Sequence, residues 1–328
     1  MQTTIVYILV SSDRDLYLEQ LWCSLYSLRL HNPEARVVLM TDDHTAQSLV
    51  GKRAKIKEYL SEEKVIDVPA EYSPKERSRY IKTTFRSCLK GNLLFLDTDT
   101  IIAEDLSSID QIDEDVACVL DLHAPLNRII GEGTIHQRMK DLFGLDVSQE
   151  TNYFNSGVMF VKDSPKAQQL FKQWHKNWKI SAFEKNKCID QPALMASDIA
   201  CGHVIKELPG IWNCQVLGSI QYLHHAKVIH FFNINWDGKH EFSPFFDEKT
   251  YIQIKKHGDI PDQIKKYIED PKSAFFSPTY FACKERYDFM WTPVGETLYS
   301  EFRKNSLLYR FAKALCGIRA SIIKHLAK

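Results

Sequence analysis

The chain has 328 residues, enough for one large α/β core or for a core of about 200–250 residues plus an extension. With 44% hydrophobic and 12% aromatic residues it is not a disordered chain. Its 42 Lys plus Arg balance 42 Asp plus Glu, so no overall basic excess points to a nucleic-acid partner.

The opening run, residues 4–10, is solidly apolar, as expected of a strand buried on both faces. It is short and no basic residue precedes it, so it reads as a first strand rather than a signal peptide. A helix over roughly 15–30 follows, with Leu18, Leu21, Trp22, Leu25 and Leu28 at helical spacing and a stop at Asn32-Pro33. Residues 36–40 form a second strand, 44–60 a polar helix, and 65–68 a short strand. Ser73-Pro74-Lys75-Glu76 is a helix start, with Ser73 as cap, Pro74 at the first helical position and Glu76 closing a capping box. That helix carries Arg79, Tyr80 and Lys82 into the strand Leu93–Leu96. Such alternation predicts a mainly parallel sheet with helices on both faces, and ligands gathered beyond the carboxyl ends of its strands.

After residue 100 the pattern becomes mixed. Strands are expected at Val116–Leu120, at Tyr153–Val161 with an Asn-Ser-Gly interruption, and around 227–232; Ser164-Pro165 opens a helix bearing Leu170, Phe171, Trp174 and Trp178. The polar stretch 121–151 admits two readings, a lid over the site or a plain surface segment. Eight cysteines are scattered without a CxxC pair, several in apolar runs, which suits buried free thiols in a reducing compartment. No stretch approaches the roughly 20 apolar residues of a membrane span, and a cytoplasmic location is expected.

Asp97-Thr98-Asp99 directly follows the strand Leu93–Leu96. Hard cations such as magnesium or manganese take oxygen ligands, and two carboxylates one residue apart at a strand end can face one ion. Aspartates after strands also cap turns, so the motif alone leaves both readings open. A glycine within Tyr153–Val161 marks a bulge or a close backbone approach. Asp190-Gln191-Pro192 reads by itself as a helix cap. His230, ending the run from Lys227, reads by itself as a hydrogen-bonded core histidine.

In this order and at these separations, the four elements resemble the retaining nucleotide-sugar glycosyltransferases of family eight, which include glycogenin and bacterial lipopolysaccharide galactosyl- and glucosyltransferases. The resemblance runs from about residue 4 to about 236. It implies an α/β GT-A nucleotide-diphospho-sugar transferase fold, a nucleotide-sugar donor (a UDP-sugar being the usual choice), and manganese or magnesium held by Asp97, Asp99 and His230. It further implies that Ser11, Ser12, Asp13 and Tyr17 receive the nucleotide, that Lys82 and Thr98 lie near the donor, and that Asn155, Asp190 and Gln191 line the sugar and the reacting face. One departure stands out. The family follows the late histidine with glycine and then Lys-Pro-Trp, whose lysine reaches the diphosphate. Here the segment is His230-Phe231-Phe232-Asn233-Ile234-Asn235-Trp236, and the alternatives are that Lys239 or Lys82 supplies that charge or that leaving-group help rests mainly on the metal.

The expected organisation is a catalytic domain over 1–238, an extension over 239–300, and a helical tail over 301–328. The tail sets seven bases (Arg303, Lys304, Arg310, Lys313, Arg319, Lys324, Lys328) against one acid, Glu301, with apolar residues at three- and four-residue steps. A basic amphipathic helix of this kind either lies in the interface of an anionic membrane or packs on the core with its basic face in water. The expected partners are a nucleotide-sugar donor and a glycan or lipid-linked acceptor. Two other functions fit a similar sheet: a nucleotidyltransferase, against which the glycine-free Ser11-Ser12-Asp13-Arg14-Asp15 counts, and a non-catalytic sugar- or partner-binding relative.

Overall fold

The structure is a computed structural model, which describes residues 1–232, 243–275 and 288–326; in the last helix the side chains are described through Cys316 and at Ile318. Its centre is β1 (Thr4–Leu9), whose alternate residues face opposite ways. Ile5, Tyr7 and Leu9 join one apolar cluster, and Val6 and Ile8 join another. Both faces are covered, which explains the uninterrupted apolar run. Parallel to β1 lie β2 (Val37–Asp42) on one side and β4 (Leu93–Leu96) on the other, with β3 (Glu62–Ile66) outside β2.

Beyond β4 the sheet changes direction. β7 (Phe154–Val161) runs antiparallel to β4 and to β6 (Val116–Leu120), and β8 (Ile205–Glu207) closes the edge, giving the order β3-β2-β1-β4-β7-β6-β8. The expected parallel sheet is therefore interrupted by one reversed strand. A second, three-stranded sheet pairs β5 (Thr100–Ile102) antiparallel to β10 (Val228–His230), with β9 (Cys214–Gln215) on the far side of β10. The late strand expected around 227–232 thus belongs to this small sheet.

One face of the main sheet is covered by α1 (Tyr17–His31), and its Leu18, Leu21, Trp22, Leu25 and Leu28 are all buried. The other face carries α3 (Pro74–Cys88) and α5 (Pro165–Lys179), packing Ile81, Phe85, Phe171 and Trp174 against Val6 and Phe95. The expected capping box is present: the Glu76 amide donates to Ser73 Oγ at 3.4 Å and the Ser73 amide to Glu76 Oε2 at 2.7 Å. The expected single helix over 44–60 is instead α2 (Asp43–Ser48) followed by a 3-10 helix, Gly51–Tyr59. Gly51 takes a φ of +56° between the two, which breaks the helical path.

The stretch 121–151 contains two short 3-10 turns and α4 (Glu132–Phe143). Leu126, Ile135 and Met139 build a small apolar cluster with Met195 and Ala196 of α6 (Gln191–Ala200), so the segment is packed and not a bare loop. Further on, α7 (Glu248–His257) and α8 (Asp262–Glu269) place Tyr251, Ile254, Ile264 and Ile268 in the cluster that contains Leu18 and Leu21. α9 (Pro293–Arg303) and α10 (Leu307–Leu326) complete the described chain, separated at Asn305, whose φ is +47°. No described helix is long and apolar enough to cross a membrane.

Candidate active site

The carboxyl ends of β1, β2 and β4 point the same way, and a cleft of about 500 Å³ opens there. Val10, Tyr17, Lys75, Arg79, Asp97, Thr98 and Asp99 are among its lining residues. Asp97 leaves β4 directly, and the turn back into β5 carries Asp99. β5 then pairs Thr100 with His230 at the end of β10. That register, with the Phe231 amide donating to Asp99 O at 3.1 Å, sets the histidine beside the two acids. Ligand atoms of Asp97, Asp99 and His230 all lie within 4.8 Å of one another, and His230 Nε2 is 3.3 Å from Asp99 Oδ1.

The imidazole is oriented from behind. Asn213 Nδ2 donates to Asn155 Oδ1 at 2.9 Å, so Asn213 Oδ1 faces His230 Nδ1 at 3.0 Å and accepts its proton. Nε2 is then the ring nitrogen that faces the Asp99 carboxylate, and a cation could be held between them. A carboxylate pair with an imidazole oriented in this way is a donor set suited to a divalent ion. Among the described residues, this is the one cluster of three or more His, Cys, Asp or Glu side chains with that geometry.

Gly157 explains the Asn-Ser-Gly interruption. A Cβ there would lie 2.3 Å from His230 Cε1 and 2.9 Å from Asp97 Oδ2. The Asp97 amide donates to Gly157 O at 2.7 Å, so strand and ligand meet backbone to backbone. Against β6 the register jumps from Cys118↔Met159 to Leu120↔Phe154, which takes Asn155 through Val158 out of that ladder. Asn155 does not face the cleft. Both ends of its amide are used: Nδ2 donates to Asp121 Oδ1 at 2.8 Å, and Oδ1 accepts from Asn213 and from the Gly157 amide at 2.9 Å.

Asp190 is no side-chain cap of α6. Its Oδ1 lies 2.9 Å from Arg79 Nε, and its Oδ2 lies 3.5 Å from Lys82 Nζ and accepts from Ser156 Oγ at 3.2 Å. Burial alone would raise this carboxyl, but Arg79 and then Lys82 overcome it and hold the pKa at about 2. Lys82 also donates to Asp97, at 3.1 Å and 3.2 Å to its two oxygens, and its side chain is only 4% exposed. Asp97 goes the other way: burial raises its carboxyl pKa, Lys82 opposes, and the neighbouring Asp99 adds to the rise. Asp121 has its carboxyl raised by burial, against the pull of Asn155 and Gln191.

The expected nucleotide residues divide. Tyr17 is exposed in the cleft. Ser11 and Ser12 turn toward Asp15, with Ser11 Oγ donating to Asp15 Oδ1 at 2.6 Å and the Ser12 amide to Asp15 Oδ2 at 2.7 Å. Asp13 offers its carbonyl to Lys255. Trp236 and Lys239 lie outside the described residues. Three groups were missed by sequence reasoning: Asn213, Arg79 and Asp121. Asp121 carried a usable signal, since it ends Val116–Leu120 as Asp97 ends Leu93–Leu96. Asn213 sits in no recognisable pattern.

A profile of the family described as "Glycosyl transferase family 8" matches residues 8–236. No curated protein matches the chain. Among solved structures, the apo form of the bifunctional glycosyltransferase WbbM aligns with a TM-score of 0.52 at 13% identity, over 81% of this chain and 51% of that one. The present chain thus spans about half of WbbM. The galactosyltransferase LgtC, solved with donor and acceptor sugar analogues, aligns with a TM-score of 0.50 at 14% identity, over 80% of this chain and 99% of that one. At such identities the likeness establishes the fold, which is the GT-A fold.

Proposed function

This chain belongs to glycosyl transferase family 8 and is a glycosyltransferase, and on that premise we propose that it transfers a hexose, with retention of configuration, from a nucleotide-sugar to a glycan or lipid-linked acceptor. We read the donor as a UDP-sugar and the product as a surface polysaccharide such as lipopolysaccharide. The observation that carries this reading is the convergence of Asp97, Asp99 and an oriented His230 on one point of the cleft, over a glycine that leaves room for nothing larger.

The three ligands fit a divalent ion, and the imidazole favours manganese over magnesium, which prefers an all-oxygen shell. Such an ion would supply positive charge against a diphosphate leaving group. The chain's own residues do the rest. Tyr17 offers a ring face for the base at the cleft mouth, next to Val10. Asp190, ionised and clamped by Arg79, Lys82 and Ser156, is poorly suited to attack an anomeric carbon and well suited to fix the residues around it. That favours a front-face transfer, in which acceptor and leaving group share one side of the sugar, over a covalent intermediate on Asp190. Asn155 acts through Asn213 on His230 and is a positioning residue.

We also propose peripheral contact with an anionic membrane through the tail. In support, Leu307, Leu308, Phe311 and Leu315 of α10 are exposed on a helix that also bears Arg310 and Lys313.

Thermal-shift measurements with a panel of nucleotide-sugars, with and without manganese, test the central reading. Metal-dependent stabilisation by one donor is expected, and Asp99→Asn should abolish the metal dependence. If no donor responds with manganese present, or if D99N keeps its manganese affinity, the reading fails.

A further inference from the structure

The family's diphosphate-binding lysine has no counterpart before Trp236, and the structure removes one substitute. Lys82 is buried beneath the acids, donating to Asp97 and facing Asp190, and it does not line the cleft. A different cation reaches the cleft. Lys75, Arg79 and Lys82 stand at four- and three-residue steps along α3, on one helix face. The first two line the cleft, and the Arg79 side chain is 31% exposed.

We propose that Arg79 binds the donor diphosphate, with Lys75 adding charge at the rim, in place of the lysine this chain lacks. The inference rests on the donor reading above. Three observations carry it. The first is charge balance: the charged side chains lining the cleft among the described residues are Lys75, Arg79, Asp97 and Asp99, which cancel. A divalent ion on the acids then leaves an excess of two positive charges, which the two negative charges of a nucleoside diphosphate-sugar neutralise.

The second is donor capacity. A guanidinium has five N–H donors in a planar fork that matches phosphate oxygens. Arg79 meets Asp190 through Nε, so the Nη end of the fork remains for a ligand. The third is that Asp190 itself is fixed. Ser156 Oγ and the Trp174 indole, which donates to the Asp190 carbonyl at 2.9 Å, hold the residue that holds the arginine. Arg79 is thus partly ordered before a ligand arrives, and loses less side-chain freedom on binding than a solvated lysine does.

The experiment compares wild type, Arg79→Met and Arg79→Lys in calorimetric titrations of the full chain with manganese. The ligands are UDP (or whichever of ADP, CDP and GDP the wild type prefers) and the parent nucleoside. R79M should weaken the diphosphate at least tenfold and leave the nucleoside unchanged, while R79K falls between. Melting temperatures without ligand identify variants that fold poorly, and R79K serves as the folded comparison if R79M does not fold. Equal diphosphate affinity in wild type and variants, or equal losses for diphosphate and nucleoside, overturns the proposal. A wild type that binds no nucleoside diphosphate overturns the donor reading and this inference together.

Discussion

Individual residues carry this site by what stands behind them as much as by what they present. Asn213 touches no cleft surface, yet its carbonyl oxygen selects the His230 tautomer. A side chain that holds a metal-binding imidazole in orientation is worth roughly 10–100-fold in metal affinity. Asn213→Ala should therefore lower manganese affinity by about that factor with the fold intact by circular dichroism, and unchanged affinity would refute the role. Gly157 is a steric constraint. Gly157→Ala sets a Cβ 2.3 Å from His230 Cε1, so either the strand or the ligand must move. A loss of about 1–3 kcal/mol in unfolding free energy is expected, as for other overpacked cores, together with loss of manganese binding. The metal reading of both acids and the histidine came from the family resemblance, since by themselves the aspartates also read as turn caps and His230 as a core histidine. Asn213 was not legible in the sequence, because its role depends on a spatial neighbour, Asn155, that lies far away along the chain.

At the scale of elements, α3 is the most informative. Its start was readable from Ser73 and Glu76, since a capping box is a local device. Its function was only partly so: the resemblance places Lys82 near the donor, whereas Arg79 looks like an ordinary helix cation until Asp190, just before α6, is brought to it. This cross-helix pairing has a pH signature. The Asp190 pKa of about 2 lies below the ordinary value of about 3.9, so its contribution to stability is full above that value. The contribution is lost as pH falls through the folded-state pKa. In denaturant titrations, Asp190→Asn should be less stable than wild type at pH 5, and the gap should narrow by about 2 kcal/mol as the pH is lowered toward 2. A gap independent of pH would show that the pairing does not shift this carboxyl. The polar 44–60 segment illustrates what local reading misses: Gly51 with positive φ divides what composition presents as one helix.

For the whole molecule, the hydrophobic pattern carried the central sheet, because strands buried on both faces have to be continuous apolar runs. The reversal at β7 was not legible, since strand direction depends on the path of the intervening chain and leaves no mark on composition. The family match removes the nucleotidyltransferase alternative. The membrane contact proposed for the tail can be tested by truncation, for which the break at Asn305 offers a clean point. Removing residues 306–328 should abolish sedimentation with anionic vesicles and leave donor-induced thermal shifts unchanged; undiminished vesicle binding would overturn the proposed role of the tail. The pairing of β5 with β10 also has a consequence in time. Every strand of the main sheet lies at or before Glu207, whereas the histidine of the candidate metal triad comes at residue 230 and is set in place only by that last pairing. During synthesis the sheet can therefore form before its site exists, and contacts so distant along the chain are slow to close. A copy that ends before β10 would have the two acids without the imidazole, so tight binding of the proposed ion would report that synthesis has passed residue 230.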